Sequence, residues 1–138
     1  MNLLYAVYMR EDTILKGVIK KVLHQCQTFN KEFANVYLYI SRKDEAVLYK
    51  VVKHNIQEID TFKYNEFYSF KEGSKLRKIR GFLRYNSFLN YLNEIIHLYK
   101  IDILYMRLSY STKKLMSIMN NKKLIKLLNI LHIHMTGK

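Results

Sequence analysis

The segment from Leu3 to Phe33 restricts the fold more than any other part of the chain. Leu3, Leu4, Tyr5, Ala6, Val7, Tyr8 and Met9 form an unbroken apolar and aromatic run. A run of that length suits a strand buried on both faces, as in a parallel sheet covered by helices. A polar stretch, Arg10–Lys16, and a single glycine, Gly17, follow it. Beyond the glycine, Val18, Ile19, Val22, Leu23, Cys26, Phe29 and Phe33 recur at helical spacing, with Lys16, Lys20, Lys21, Gln25, Gln27 and Lys31 directed elsewhere. Strand, turn and helix together make the opening unit of a doubly wound domain. Ligands of such domains bind outside the carboxyl ends of the strands, which puts the first candidate site at Arg10–Gly17.

The rest of the chain alternates in the same manner. Val36–Ile40 reads as a second strand, and Ser41-Arg42-Lys43-Asp44-Glu45 as a polar turn. Ala46–Val52 and Ile56–Ile59 read as two more β-prone runs, joined as a hairpin across Lys53-His54-Asn55. Thr61–Gly73, rich in aromatic rings, reads as a loop packed on the domain. Ser74 suits the N-cap of a long helix to about Tyr99, with Leu76, Ile79, Phe82, Leu83, Tyr85, Leu89, Leu92 and Ile96 on its 3.6-residue period. Ile101–Leu108 is a further buried strand, and Ser109-Tyr110-Ser111-Thr112 opens another helix. The expected architecture is therefore α/β and Rossmann-like: a mainly parallel sheet, helices on both faces and a β-hairpin excursion. Its strand ends should bring Arg10 and Arg107 to a common rim. Residues 1–138 form one domain, and the segment 120–138 fits the alternation poorly, reading equally as strand or helix.

Composition narrows the partners. With 24 Lys and Arg against 11 Asp and Glu, the net charge is +13, which favours anionic partners such as nucleic acid, anionic lipid or phosphorylated small molecules. No apolar run approaches the roughly 18 residues of a membrane-spanning helix, and no basic region precedes the N-terminal apolar run as it would in a signal peptide. The single cysteine, Cys26, lies on the apolar stripe of the first helix and reads as a small core residue. Five histidines (His24, His54, His97, His132 and His134) suggest no metal site, and no cofactor is expected.

Order and spacing resemble the N-terminal half of glycosyltransferase family 4 enzymes of bacterial capsular and surface polysaccharide synthesis. The resemblance rests on Leu3–Met9, on Lys16-Gly17-Val18-Ile19-Lys20-Lys21 opening the first helix, and on Val36–Ile40 with its Ser41-Arg42-Lys43-Asp44 turn. Leu48-Tyr49 and Glu58-Ile59 fall in the excursion. Asp102-Ile103-Leu104-Tyr105-Met106-Arg107 completes the pattern, which spans about residues 1–123. It implies one half of a GT-B fold, the acceptor-binding domain of an enzyme that moves a sugar from a nucleotide-sugar to a lipid-linked or saccharide acceptor. The donor-binding domain has no room in this chain, so the resemblance implies a truncated product, inactive alone, with a separately encoded C-terminal half as partner. It also implies a cytoplasmic protein, peripheral at the inner face of the membrane.

Three groups of residues carry the site expectations. Arg10, Gly17 and Lys20 lie where a helix N-terminus would favour an anion, although the glycine is equally able merely to ease chain reversal. Arg107 and Ser109 follow the last clear strand, where an arginine can clamp phosphate or simply be solvated. Lys75, Arg77, Lys78, Arg80 and Arg84, next to Phe82 and Tyr85, suit a membrane surface or a charged outer helix face. The alternative function is a small basic nucleic-acid-binding protein, with twelve tyrosines as stacking platforms.

Overall fold

The computed structural model describes residues 1–8, 15–42, 44–53, 55–65 and 77–107. Seven elements follow in order: β1 (Asn2–Val7), α1 (Leu15–Asn30), β2 (Asn35–Ser41), β3 (Glu45–Val52), β4 (Asn55–Lys63), α2 (Arg77–Leu98) and β5 (Ile103–Arg107). The strands form one sheet in the order β4-β3-β2-β1-β5.

β1 lies between two parallel neighbours. Leu3 stands opposite Val36 of β2 and Ile103 of β5, and Val7 opposite Ile40 and Arg107. Every residue from Leu3 to Tyr8 is buried, so the apolar run does lie in a strand covered on both faces. Its alternate side chains feed two separate cores. Leu3, Tyr5 and Val7 pack with Val36, Leu38, Ile40 and Ile103 of the sheet and with Val22 and Cys26 of α1. Leu4, Ala6 and Tyr8 pack with Tyr37, Tyr39, Leu104 and Met106, and with Tyr85, Phe88, Leu89, Leu92, Ile95 and Ile96 of α2. Each helix therefore serves one core.

The expectation of a mainly parallel sheet, and with it the GT-B half, is corrected. β2 pairs antiparallel with β3, and β3 antiparallel with β4, so two of the four pairings are antiparallel. Chain length explains why. Only residues 42–44 separate Ser41 from Glu45, and a parallel return needs a crossover of about a dozen residues or more. Arg42 N–H donates to the Glu45 carbonyl at 2.7 Å, closing the turn. The segment read as an excursion thus supplies two of the sheet's five strands. Thr61, Phe62 and Lys63, expected in a loop, end β4, which steps past a register shift at Leu48/Tyr49.

Polar ties fasten the amino edge of the sheet. Asn2 N–H donates to an Asp102 carboxylate oxygen at 2.9 Å, its side-chain amide donates to the Tyr99 and Lys100 carbonyls, and Asn35 donates to Asn2. Lys100, at the turn into β5, has φ of 51°, in the left-handed region.

Candidate functional site

β1, β2, β4 and β5 run in one direction, so Tyr8, Ser41, Tyr64 and Arg107 come to one edge of the sheet, the carboxyl edge where α/β domains bind their ligands. The centre of the described part of this edge is Arg84. It reaches in from α2 and is 1% exposed. Its Nη1 donates to the Tyr8 hydroxyl at 3.0 Å and its Nη2 to the Arg42 backbone carbonyl. The guanidinium lies 4.7 Å from the centroid of the Tyr64 ring and 5.4 Å from that of Tyr8. The Tyr64 hydroxyl in turn shares a 2.7 Å hydrogen bond with Ser41.

One buried cation thus touches the end of β1, the turn after β2 and the residue after β4. The aromatic floor below it is Tyr8 edge-on to Tyr85 and Phe88, with Phe88 stacked on Tyr39 at 4.4 Å. Burial raises the Tyr64 hydroxyl well above the ordinary tyrosine range, and the Ser41 bond and the Arg84 charge pull back only in part. Tyr39, buried and donating to the Phe88 carbonyl at 2.9 Å, is raised as well, chiefly by burial. These tyrosines are neutral hydrogen-bonding groups at physiological pH.

Of the residues expected at this edge, Gly17, Lys20 and Arg107 are described. Arg107 ends β5 opposite Val7, so β1 and β5 do emerge at a shared rim. Arg10 and Ser109 lie outside the described residues, as does Lys75. Gly17 falls within the first turn of α1, and Lys20 on the next turn is exposed. Arg77 and Lys78 open α2, and Arg80 is half-buried. Arg84 is not a surface cation: it lies between the sheet and α2, where no lipid headgroup reaches. Ser74, expected as the N-cap, and the helix expected after Ser109 are outside the described residues, as is the segment 120–138.

Sequence reasoning also placed Ile79 and Phe82 on the inner stripe of α2, and they are exposed. The buried stripe runs through Gly81, Arg84, Tyr85, Phe88, Leu89, Leu92, Ile95 and Ile96. That stripe was the missed signal for Arg84, which stands three residues from Gly81 and four from Phe88.

The one cysteine of the sequence, Cys26, is fully buried among Leu3, Val22 and Leu38, and burial pushes its thiol up to about 12. At neutral pH it is a protonated core thiol and not a nucleophile. No group of His, Cys, Asp and Glu able to hold a metal ion occurs among the described residues.

No family model and no curated protein matches the chain. Among solved structures it is similar to a secreted C11 cysteine protease from Bacteroides thetaiotaomicron, iotapain. The identity is 8% and the TM-score 0.47, over 78% of this chain and 29% of that one. It is also similar to a cysteine protease of B. fragilis, at 15% identity and TM-score 0.43, over 81% of this chain and 91% of that one. The chain therefore spans under a third of the first of these proteins. With identities below 25% and scores below 0.5, neither likeness transfers a reaction to this chain.

The expected family and function are corrected with the fold. The neighbours named are cysteine proteases and not glycosyltransferases, so sugar transfer, polysaccharide synthesis and the GT-B assignment are withdrawn. The nucleic-acid alternative is not supported either: of the twelve tyrosines, Tyr5, Tyr8, Tyr37, Tyr39, Tyr64 and Tyr85 are buried and offer no ring to a base.

Proposed function

We propose that this chain is a binding module that seats the start of α2 on an anionic membrane surface. One observation carries the reading: Ile79 and Phe82 are 54% and 61% exposed, three residues apart and so on one face, directly after Arg77 and Lys78 in the sequence. Large apolar side chains exposed next to cations suit a headgroup boundary, where the apolar groups enter and the charges meet phosphate. The net charge of +13 draws the chain to such a surface. Half-burying the two apolar side chains contributes about 2 kcal/mol, and each of the two cations Arg77 and Lys78 about 1 kcal/mol. The sum of about 4 kcal/mol corresponds to a weak, reversible attachment at about 1 mM. No helix among the described residues is long and apolar enough to cross a membrane.

Sedimentation with vesicles tests this. The chain should pellet with phosphatidylglycerol-containing vesicles and stay in solution with phosphatidylcholine alone. The double variant Ile79→Ser, Phe82→Ser should lose about half of the binding free energy by the same arithmetic. Equal binding to neutral vesicles, or binding untouched by the double variant, refutes the reading. A concentration-dependent dimer abolished by the variant assigns the patch to a second copy and refutes it too.

A further inference from the structure

At the opposite edge of the sheet, the last turns of α1 and the turn between β3 and β4 enclose a groove of about 370 Å³, lined by His24, Gln27, Thr28, Asn30, Lys31 and Lys53. The helix supplies His24, Gln27 and Thr28, spaced so that they share a face, Lys31 follows in the turn just past its end, and the hairpin supplies Lys53 from the facing wall. We propose that this groove binds a small organic phosphomonoester, its phosphate between the ammonium groups of Lys31 and Lys53 and its organic part along Gln27 and Asn30.

The donor set carries the inference. Among the described residues no carboxylate lines the groove, and neither lysine makes an ion pair with a described residue. Thr28 is engaged, donating to the His24 carbonyl at 3.1 Å. The side chains of Gln27, Asn30 and His24 make no hydrogen bond with a described residue, so amide and ring donors border the two cations and face the groove's solvent. A ligand satisfying them needs several acceptor oxygens and negative charge, the properties of a phosphate ester.

The end of α1 opposes an anion with roughly half an elementary negative charge, and two full positive charges outweigh it. Lys31 alone would read as a partner for that helix end. Lys53 comes from another element and answers no helix end, so the pair is better explained by a shared ligand. The volume falls at the small end of the range for ligand clefts, enough for a phosphorylated pentose or hexose.

The site is independent of the α2 patch, and a titration separates the two. Ribose 5-phosphate, ribose and inorganic phosphate are added in turn to the labelled full chain, followed by amide chemical shifts. Ribose 5-phosphate should saturate in the millimolar range and move the amides of residues 24–31 and 53. Ribose should move none of them, and inorganic phosphate should bind more weakly. The variant Lys31→Gln, Lys53→Gln should weaken ribose 5-phosphate at least about tenfold. Both side chains are exposed, so the variant should keep the wild-type spectrum elsewhere. Ile79→Ser, Phe82→Ser should leave this binding unchanged. Absence of saturation up to about 10 mM, an unaltered affinity in the lysine variant, or shifts at the carboxyl edge instead overturns the proposal.

Discussion

Replacing Arg84 by methionine tests the account of the carboxyl edge most directly. The straight chain keeps most of the volume and removes only the guanidinium. Two hydrogen bonds from a charged donor are lost, to the Tyr8 hydroxyl and the Arg42 carbonyl, each worth about 1.5–3 kcal/mol. Ring contacts with Tyr8 and Tyr64 at 5.4 and 4.7 Å add about 1 kcal/mol together. Against this gross loss of about 4–7 kcal/mol stands the desolvation of a buried guanidinium, several kcal/mol that the variant no longer bears. The net expectation is a loss of about 2–3 kcal/mol, because the buried Tyr8 hydroxyl and the part-buried Arg42 carbonyl each lose a charged donor. Urea unfolding followed by circular dichroism measures it: the midpoint should fall with the slope unchanged. Arg84→Lys, which keeps the charge without the fork, should recover less than half of the loss. A methionine variant within about 0.5 kcal/mol of the parent would refute the claim that this cation ties the three strand ends together.

Other consequences follow from the same coordinates. The Cys26 thiol, at about 12 folded against 9.0 in the exposed chain, keeps its proton where the unfolded chain loses it. Stability should therefore be full below pH 9 and decline as the pH rises from 9 to 12; Cys26→Val should flatten the start of that decline in pH-dependent urea titrations. Native Cys26 should resist a thiol reagent until the protein unfolds. Lys100→Gly relieves a left-handed backbone and should raise the urea midpoint by about 1 kcal/mol equivalent. Asp102→Ala, which leaves Asn2 N–H without its 2.9 Å acceptor, should cost about 1 kcal/mol in the same assay.

Much of the strand pattern is legible in the residues because burial on two faces leaves no polar position to confuse it. Leu3–Val7, Val36–Ile40 and Ile103–Met106 all fall in strands of the sheet. Direction is not written in apolarity; the shortness of the turn at residues 42–44 is what makes β3 run back antiparallel to β2. In α2 the expected Tyr85, Leu89, Leu92 and Ile96 do meet the sheet, whereas Ile79 and Phe82 at the helix start, equally apolar and periodic, do not, and Phe88 and Ile95 join the buried stripe. Arg84 was then read by its charge, whereas its position between Gly81 and Phe88 put it inside. The groove at Lys31 and Lys53 was invisible to a reading along the chain, since the pairing of β3 with β4 is what carries Lys53 to the end of α1.

The place of β1 between β2 and β5 also sets an order for folding. β2, β3 and β4 are successive neighbours, so their pairings close short loops and can form early. The other side of β1 waits for a segment whose first tie, Asn2 to Asp102, joins residues 100 positions apart. Closing a loop of that length costs about 2 kcal/mol more entropy than closing one of a dozen residues. The meander should therefore be protected from hydrogen exchange first during refolding. β5 should arrive last, closing the second flank of the central strand and completing both cores in one step.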